Sequence, residues 1–142
     1  MPFVPSSDQS VDIMVELAGI SEGDSAVDLG SGNGKLVIAM ARAGALAVGV
    51  EIDNERWRLA NRSIAGAGLA GRARAVHGSF WHHDLSRYDV IALYGIPSIM
   101  ERLKYKIIAE AKSGVRVVSN HFEFPGWILS KEKDNILLYE PF

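Results

Sequence analysis

Short apolar runs alternate with amphipathic stretches along most of the chain, which predicts strands and helices in turn. The predicted strands are 26–29, 46–51, 73–77, 90–94 and 115–119. The predicted helices are 8–20, 35–43, 54–67 and 97–112. Apolar residues recur at three- and four-residue spacing in the first, third and fourth of these helices, as they do on one face of a helix. Strands and helices that alternate in this way form a parallel sheet with crossover helices.

The end of the chain and two of the strands refine this picture. Residues 127–130 and 136–139 are predicted to form a closing hairpin around the charged stretch 131–135. The run 90–94 is almost continuously apolar, which is typical of a strand buried on both faces at the centre of a sheet. The run 73–77 is only weakly apolar, so we expect it near an edge.

Length and composition limit the possible functions. With 142 residues, the chain is expected to be one domain, 1–142, with an extended arm at 1–7 before the first helix. A net charge of −2 provides no basic excess for a polyanion, so no nucleic acid partner is expected. The chain has no cysteine, which excludes disulfides and thiolate metal sites. It has no apolar run of membrane-spanning length and no leader pattern, so no membrane segment is expected and a cytoplasmic location is predicted.

The most informative motif is a glycine-rich turn between the first strand and its helix. A short apolar run ends in Asp28, the glycines Gly30, Gly32 and Gly34 follow, and the helix begins at Lys35. Glycine permits backbone torsions and close ligand approach that other residues do not. Glu51 ends the next strand 23 residues after Asp28, where a carboxylate can bind a ribose diol. A nucleoside site is therefore predicted at this edge of the sheet.

The spacing of the glycines and the charge next to them restrict the nucleoside. The dinucleotide pattern G-x-G-x-x-G is not met, because Lys35 stands one position after an early third glycine. No P-loop pattern is present. Asp28 would repel a phosphate but would attract a ligand that carries an ammonium group. S-adenosylmethionine has such a group, a ribose and an adenine and no phosphate, so we expect it as the cofactor. The loop contacts predicted for it are Gly30, Ser31, Gly32, Asn33 and Gly34.

Three further residues are predicted to contact the adenine. Ser79 follows the third strand, where its hydroxyl could bond to the adenine amino group. Ile52, directly after Glu51, would form an apolar wall on one face of the ring. Phe80 could stack on the purine, and packing in the protein core is an equally good explanation for it.

S-adenosylmethionine is a methyl donor, so the chain should also bind a methyl acceptor. The segment Tyr94-Gly95-Ile96-Pro97, after the fourth strand, indicates the type of that acceptor. Methyltransferases that act on amide or exocyclic amino nitrogens commonly have an [ND]-P-P-[YF] element at this place, and it is absent here. A lysine amine needs less help, because it is nucleophilic once it has lost its proton. We therefore expect a lysine acceptor, and Tyr94 is predicted to contact both the cofactor and the acceptor.

These motifs together resemble the class I, seven-strand S-adenosylmethionine-dependent methyltransferases. The likeness is greatest to the archaeal-type protein lysine methyltransferases and their mitochondrial relatives, which have a V-P-[ST] arm and a V-V-S-x-x-F-E-x-x-G-W segment. This chain has Val4, Pro5 and Ser6 in its arm and the second pattern at 117–127. The resemblance implies an α/β Rossmann-like fold with a mostly parallel seven-strand sheet, a C-terminal antiparallel hairpin and helices on both faces. It also implies that the arm folds over the cofactor.

The resemblance further implies protein lysine N-methylation, with a protein as the substrate. Tyr94, Glu123 and Trp127 are the predicted catalytic residues. Aromatic rings could line a channel for the lysine stem, Glu123 could hold its ammonium group, and His121 or a water could take the proton. The adjacent His82 and His83 lack a third ligand, so no metal site is predicted. A small-molecule methyltransferase and a non-catalytic scaffold that binds the cofactor remain as alternatives, and the oligomeric state is open.

Overall fold

The computed structural model describes residues 8–142, which form four α-helices and seven strands. The helices are α1 (Asp8–Ala18), α2 (Lys35–Arg42), α3 (Asn54–Gly66) and α4 (Pro97–Glu110). The strands are β1 (Ser25–Leu29), β2 (Leu46–Glu51), β3 (Ala73–His77), β4 (Val90–Leu93), β5 (Arg116–Asn120), β6 (Lys131–Lys133) and β7 (Ile136–Tyr139). A single turn of 3-10 helix, Phe80–His82, follows β3.

All seven strands belong to one sheet with the order β3-β2-β1-β4-β5-β7-β6. The strands β1 to β5 run parallel, β7 is antiparallel to β5, and β6 is antiparallel to β7. This confirms the predicted mostly parallel sheet with an antiparallel hairpin at its end. It also confirms β3 at an edge and β4 at the centre, with all four β4 residues buried.

Alternate residues of the central strands belong to two separate hydrophobic clusters, one on each face of the sheet. The first cluster joins α1 and α2 to Ala92 and Val118, and the second joins α4 to Ile91 and Val117. Successive side chains of a strand point to opposite faces, so this alternation places α1 and α2 on one face and α4 on the other. Helices therefore cover both faces, as predicted.

The first strand of the hairpin is not where the sequence analysis placed it. The prediction of a strand at 127–130 is wrong, since the strand that pairs with β7 is β6. Asp134 and Asn135 both have positive φ, 49° and 68°, and form a two-residue turn between Lys133 and Ile136. A two-residue turn with positive φ at both positions matches the twist of a hairpin, so the charged residues before it form the strand. Ile128 is 90% exposed in the loop that precedes β6.

Two helices, α1 and α4, end two residues earlier than predicted because of their local backbone. α1 ends at Ala18, where Gly19 takes a left-handed conformation with φ 61°. α4 ends at Glu110, because Ala111 is extended. The longest helix has 14 residues, and none of those in 8–142 is both long and apolar enough to cross a lipid bilayer.

Candidate functional site

The turn between β1 and α2 opens the backbone toward a pocket at the carboxyl edge of the sheet. The N–H groups of Gly30 and Ser31 both donate to the carbonyl of Val50, at 2.8 and 3.0 Å, and thereby fix the turn against β2. Gly30 and Gly32 have φ of 87° and 55°, which favour glycine. A Cβ at either position would have no neighbour within 4 Å, so the space beside the turn is open. A ligand can approach the backbone closely at this place.

Gly49 of β2 lets the turn lie directly on the sheet. It pairs with Asp28 of β1, and an added Cβ would lie only 2.8 Å from both Ser31 Oγ and Val37 Cγ2. Only a residue without a side chain leaves room for Ser31 at this position.

Glu51 is buried and accepts hydrogen bonds on both of its carboxylate oxygens. Gly32 N–H donates to Oε1 at 2.7 Å, and Asp53 N–H donates to Oε2 at 3.0 Å. Its nearest cation is Arg56, at 4.0 Å. The carboxylate therefore shapes the glycine turn, and its oxygens retain lone pairs for a ligand's hydroxyl groups.

Asp28 has a buried carboxylate oxygen without a hydrogen-bond partner in the part of the chain that the structure describes. Its side chain is 2% exposed, and Oδ1 has no hydrogen-bond partner among residues 8–142. Burial raises the pKa of this carboxyl well above its ordinary value, and the nearby Glu51 raises it further. A buried carboxylate without a partner is costly, so the site is built for a ligand that brings a hydrogen-bond donor or a positive charge.

Asp28 and the glycine turn line a pocket of about 500 Å³. Its lining comprises Val11, Asp28, Gly30, Ser31, Gly32, Asn33, Lys35, Leu36, Arg56, Leu59 and Tyr94. The sequence analysis predicted that Asp28, the glycine turn and Tyr94 belong to the site. It missed five other lining residues, which are Val11, Lys35, Leu36, Arg56 and Leu59. Lys35 forms an ion pair with Asp8 at 3.0 Å, which ties the start of α1 to the start of α2.

The three predicted adenine contacts lie beyond β2 and β3. Ile52 is 69% exposed, and its carbonyl lies 3.1 Å from Nε2 of His77. Ser79 Oγ accepts a hydrogen bond from Trp81 N–H and caps the 3-10 helix. Phe80 packs against the second hydrophobic cluster, with its ring centre 4.8 Å from that of Trp81. The adenine roles of Ile52, Ser79 and Phe80 stay predictions.

The three predicted catalytic residues are not brought together in the described structure. Tyr94 packs against the first hydrophobic cluster and lines the pocket. Trp127 packs against the second cluster, and its ring centre lies 4.7 Å from that of Phe124. Glu123 is exposed on the loop after β5. Tyr94 and Trp127 therefore belong to opposite faces of the sheet, and the structure does not group them around one channel.

The remaining predictions concern His121, the arm at 4–6 and a metal site. His121 is exposed and has φ 79°, and its N–H donates to the carbonyl of Asn135 at 2.8 Å. Val4, Pro5 and Ser6 lie outside the residues that the structure describes. Within 8–142, no three histidine, aspartate or glutamate side chains come together as a possible metal site.

Asn120 is a further candidate that the sequence analysis missed. It is the last residue of β5, is 5% exposed, and its Nδ2 has no hydrogen-bond partner in the described part of the chain. Its position in the sequence is marked only by the end of an apolar run, which does not distinguish a site residue from a turn residue.

Glu51→Ala is expected to weaken S-adenosylhomocysteine binding by about 1–3 kcal/mol, the usual loss for hydrogen bonds to a charged group. The substitution also leaves the N–H groups of Gly32 and Asp53 without acceptors, so Glu51→Gln, which keeps one oxygen acceptor, should lose less. Calorimetric titration of the three proteins measures the effect. Unchanged affinity in Glu51→Ala would contradict the assignment of Glu51 to the ribose.

Comparisons with known proteins show the family to which the chain belongs. The family described as the ANTKMT methyltransferase domain matches residues 28–131. A protein-lysine N-methyltransferase of Saccharolobus islandicus is 40% identical over 129 residues, which are 89% of this chain and 80% of that protein. The adenine nucleotide translocase lysine N-methyltransferase of Mus musculus is 28% identical over 99% of this chain, which spans 63% of the mouse protein.

A solved methyltransferase structure is also similar to this chain. The crystal structure of an RNA methyltransferase from Salinibacter ruber in complex with S-adenosyl-L-homocysteine has a TM-score of 0.89 and 33% identity, and covers 96% of this chain and 91% of its own. Its ligand, S-adenosyl-L-homocysteine, is the demethylated form of S-adenosylmethionine. The chain therefore belongs to the ANTKMT methyltransferase domain family and is a class I, S-adenosylmethionine-dependent methyltransferase.

Proposed function

We propose that this methyltransferase transfers methyl groups to the side-chain nitrogen of protein lysines. The observation that carries the proposal is the identity of 40%, over nearly the whole chain, to a protein named as a protein-lysine N-methyltransferase. The pocket supports it, because Tyr94 contributes a buried hydroxyl to the lining and the element that holds planar amide nitrogens is absent.

The chain's own residues would hold the cofactor in three places. The Glu51 carboxylate would accept hydrogen bonds from the ribose hydroxyls, and the open backbone at Gly30 and Gly32 would contact the middle of the molecule. Asp28 would accept from the ammonium group, which would satisfy its unpartnered oxygen. When bound, S-adenosylmethionine supplies a methyl group on a positively charged sulfur and leaves as S-adenosylhomocysteine.

On the acceptor side, the chain has to take up a lysine ammonium, let it lose a proton and orient the free amine. Tyr94 is placed to orient the amine, since its hydroxyl oxygen can accept one N–H bond. Glu123 and Trp127 lie outside the pocket lining, so their proposed role is to contact the lysine and its flanking residues as the substrate approaches. His121 or a water would take the proton.

The test is to incubate the purified protein with isotope-labelled S-adenosylmethionine and a complete cell extract. Label is expected in material that protease removes and ribonuclease does not, and mass spectrometry should identify methylated lysine. Glu51→Ala is the matched control and should incorporate less label. Label confined to RNA, which the name of the Salinibacter ruber neighbour makes the relevant competitor, or to small molecules would overturn the proposal.

A further inference from the structure

Four polar side chains lie on the same face of four neighbouring strands, at their carboxyl ends. Asp28 of β1 pairs with Gly49 on β2 and with Ala92 on β4, and Ala92 pairs with Val118 on β5. A residue two positions farther along a strand points to the same face. The residues two positions after Gly49, Ala92 and Val118 are Glu51, Tyr94 and Asn120.

The face is the one that α1 and α2 cover. Ala92 and Val118 belong to the first hydrophobic cluster, and Tyr94 packs against the same cluster. In sheet order the row is therefore Glu51, Asp28, Tyr94 and Asn120. Glu51 and Asp28 are the cofactor residues of the row, which places Asn120 at its far end, beyond the hydroxyl of Tyr94.

Three members of this row carry a buried polar atom without a partner in residues 8–142. These atoms are Asp28 Oδ1, Tyr94 Oη and Asn120 Nδ2. Buried polar groups in proteins are normally hydrogen-bonded, and leaving one unpaired costs about 1–3 kcal/mol. Three such atoms in adjacent strands indicate an arrangement that is completed only when ligands are bound.

Tyr94 and Asn120 directly follow the paired residues Leu93 and Ser119 of β4 and β5, and neither Tyr94 Oη nor Asn120 Nδ2 has a hydrogen-bond partner in residues 8–142. Burial raises the pKa of the Tyr94 hydroxyl, the amide of Asn120 lowers it, and the carboxylate of Asp28 raises it. This direction is the one expected when an amide N–H donates to the hydroxyl oxygen.

We propose that Asn120 is a positioning residue whose Nδ2–H donates to Tyr94 Oη and holds that hydroxyl at the acceptor end of the pocket. This rests on the proposed lysine function for the identity of the acceptor. With Asn120 donating, the remaining lone pair of Tyr94 Oη accepts an N–H from the deprotonated amine. The amine's own lone pair then forms the new bond to the methyl carbon, while the sulfur–carbon bond breaks and its electron pair stays on sulfur.

The experiment compares Asn120→Leu, which has a similar volume and no donor, with Asn61→Leu as a matched control. Asn61 makes its side-chain bonds to the backbone of Ala75 at the β3 edge, away from Tyr94. Three quantities are measured: the Tyr94 ring Cζ resonance in protein with isotope-labelled tyrosine and bound S-adenosylhomocysteine, the affinity for S-adenosylhomocysteine, and kcat with a lysine acceptor. The chain has four tyrosines, so the spectrum of Tyr94→Phe assigns the signal.

Asn120→Leu is expected to shift the Tyr94 resonance and to lower kcat about tenfold, the change that one ordinary hydrogen bond represents. S-adenosylhomocysteine affinity should stay unchanged, and in a Tyr94→Phe background the substitution should have no further effect on kcat. Asn61→Leu should lower the thermal midpoint without shifting the Tyr94 resonance. If Asn120→Leu does not fold, Asn120→Ala, which also removes the amide donor and adds no charge, should shift the resonance and lower kcat in the same way.

An unchanged Tyr94 resonance in the folded Asn120 variant would overturn the proposal. An equal loss of kcat with and without the Tyr94 hydroxyl would also overturn it. Should the wild-type protein fail to methylate lysine, the resonance still reports the contact between Asn120 and Tyr94. Failure of the lysine assignment is therefore distinguishable from failure of the positioning role.

Discussion

Asp28→Asn is expected to raise the thermal midpoint of the ligand-free protein at neutral pH while weakening S-adenosylhomocysteine binding about 10- to 100-fold, or ~1.5–3 kcal/mol. The wild-type carboxylate is buried, has an unpartnered oxygen and is raised in pKa by burial and by Glu51. An amide of the same shape removes the buried charge and its repulsion with Glu51. It also removes the negative charge that would bind the cofactor's ammonium group.

The pH dependence gives this prediction a definite sign. Because the pKa of Asp28 is raised in the folded protein, the protonated form is favoured by folding. The stabilisation that comes from the protonated Asp28 carboxyl is fully present below its pKa in the unfolded chain. It is lost as the pH rises through its pKa in the folded protein. Asp28→Asn does not lose this stabilisation, so the difference in stability between Asp28→Asn and the wild type grows as the pH rises between the two pKa values. Wild-type affinity for the ammonium group changes in the opposite direction and increases as Asp28 ionises.

Thermal unfolding and calorimetric titration across this pH range measure both effects. Asp84→Asn is the control, because Asp84 is exposed and bonds to Ser86, and its pKa is lowered chiefly by those bonds. It should not gain stability at neutral pH or lose affinity. A lower thermal midpoint for Asp28→Asn together with unchanged affinity would contradict the assignment of Asp28 as a ligand-binding charge.

Gly49→Val is expected to destabilise the protein by about 1–3 kcal/mol, the usual cost of overpacking a closely packed site, and to reduce cofactor binding with it. The first atom of any side chain at this position would meet Ser31 and Val37. Ser31 belongs to the turn that lines the pocket, so moving it displaces the backbone that contacts the ligand. Gly49→Ala should show the same effects to a smaller degree.

Denaturant unfolding and titration with S-adenosylhomocysteine measure the two losses. Gly66→Ala is the matched control, because a Cβ at that helical position meets nothing within 4 Å, so stability should be unchanged or higher. Wild-type stability and affinity in Gly49→Val would show that the close approach of Ser31 to β2 does not set the shape of the turn.

The parts of the fold that could be predicted are those that one local pattern determines. The continuous apolar run 90–94 predicted a central strand, and all four residues of β4 are buried. Asp28 and the glycines after it were predicted to form part of one site, and Asp28, Gly30 and Gly32 belong to the pocket lining. They lie in one contiguous segment, so one motif contains the information about this part of the pocket.

The parts that could not be predicted depend on contacts between distant segments. Arg56 and Leu59 reach the pocket from α3, and the role of Asn120 is visible only through its cross-strand relation to Tyr94. The prediction of the first strand of the hairpin failed for a related reason. The apolar residues of 127–130 favoured a strand there, but Trp127 packs onto Phe124 and Tyr139, and the turn at Asp134 and Asn135 assigns the strand to the charged residues before it.

The composition of β6 has a consequence for how the protein behaves when concentrated. This outermost strand consists of Lys131, Glu132 and Lys133, and all three are exposed. An outer strand presents unpaired backbone groups that can recruit a strand from another molecule and start aggregation. Pairing along β6 would bring charged side chains of two molecules together on a very short strand. The hairpin thus ends the sheet with a segment that opposes intermolecular growth.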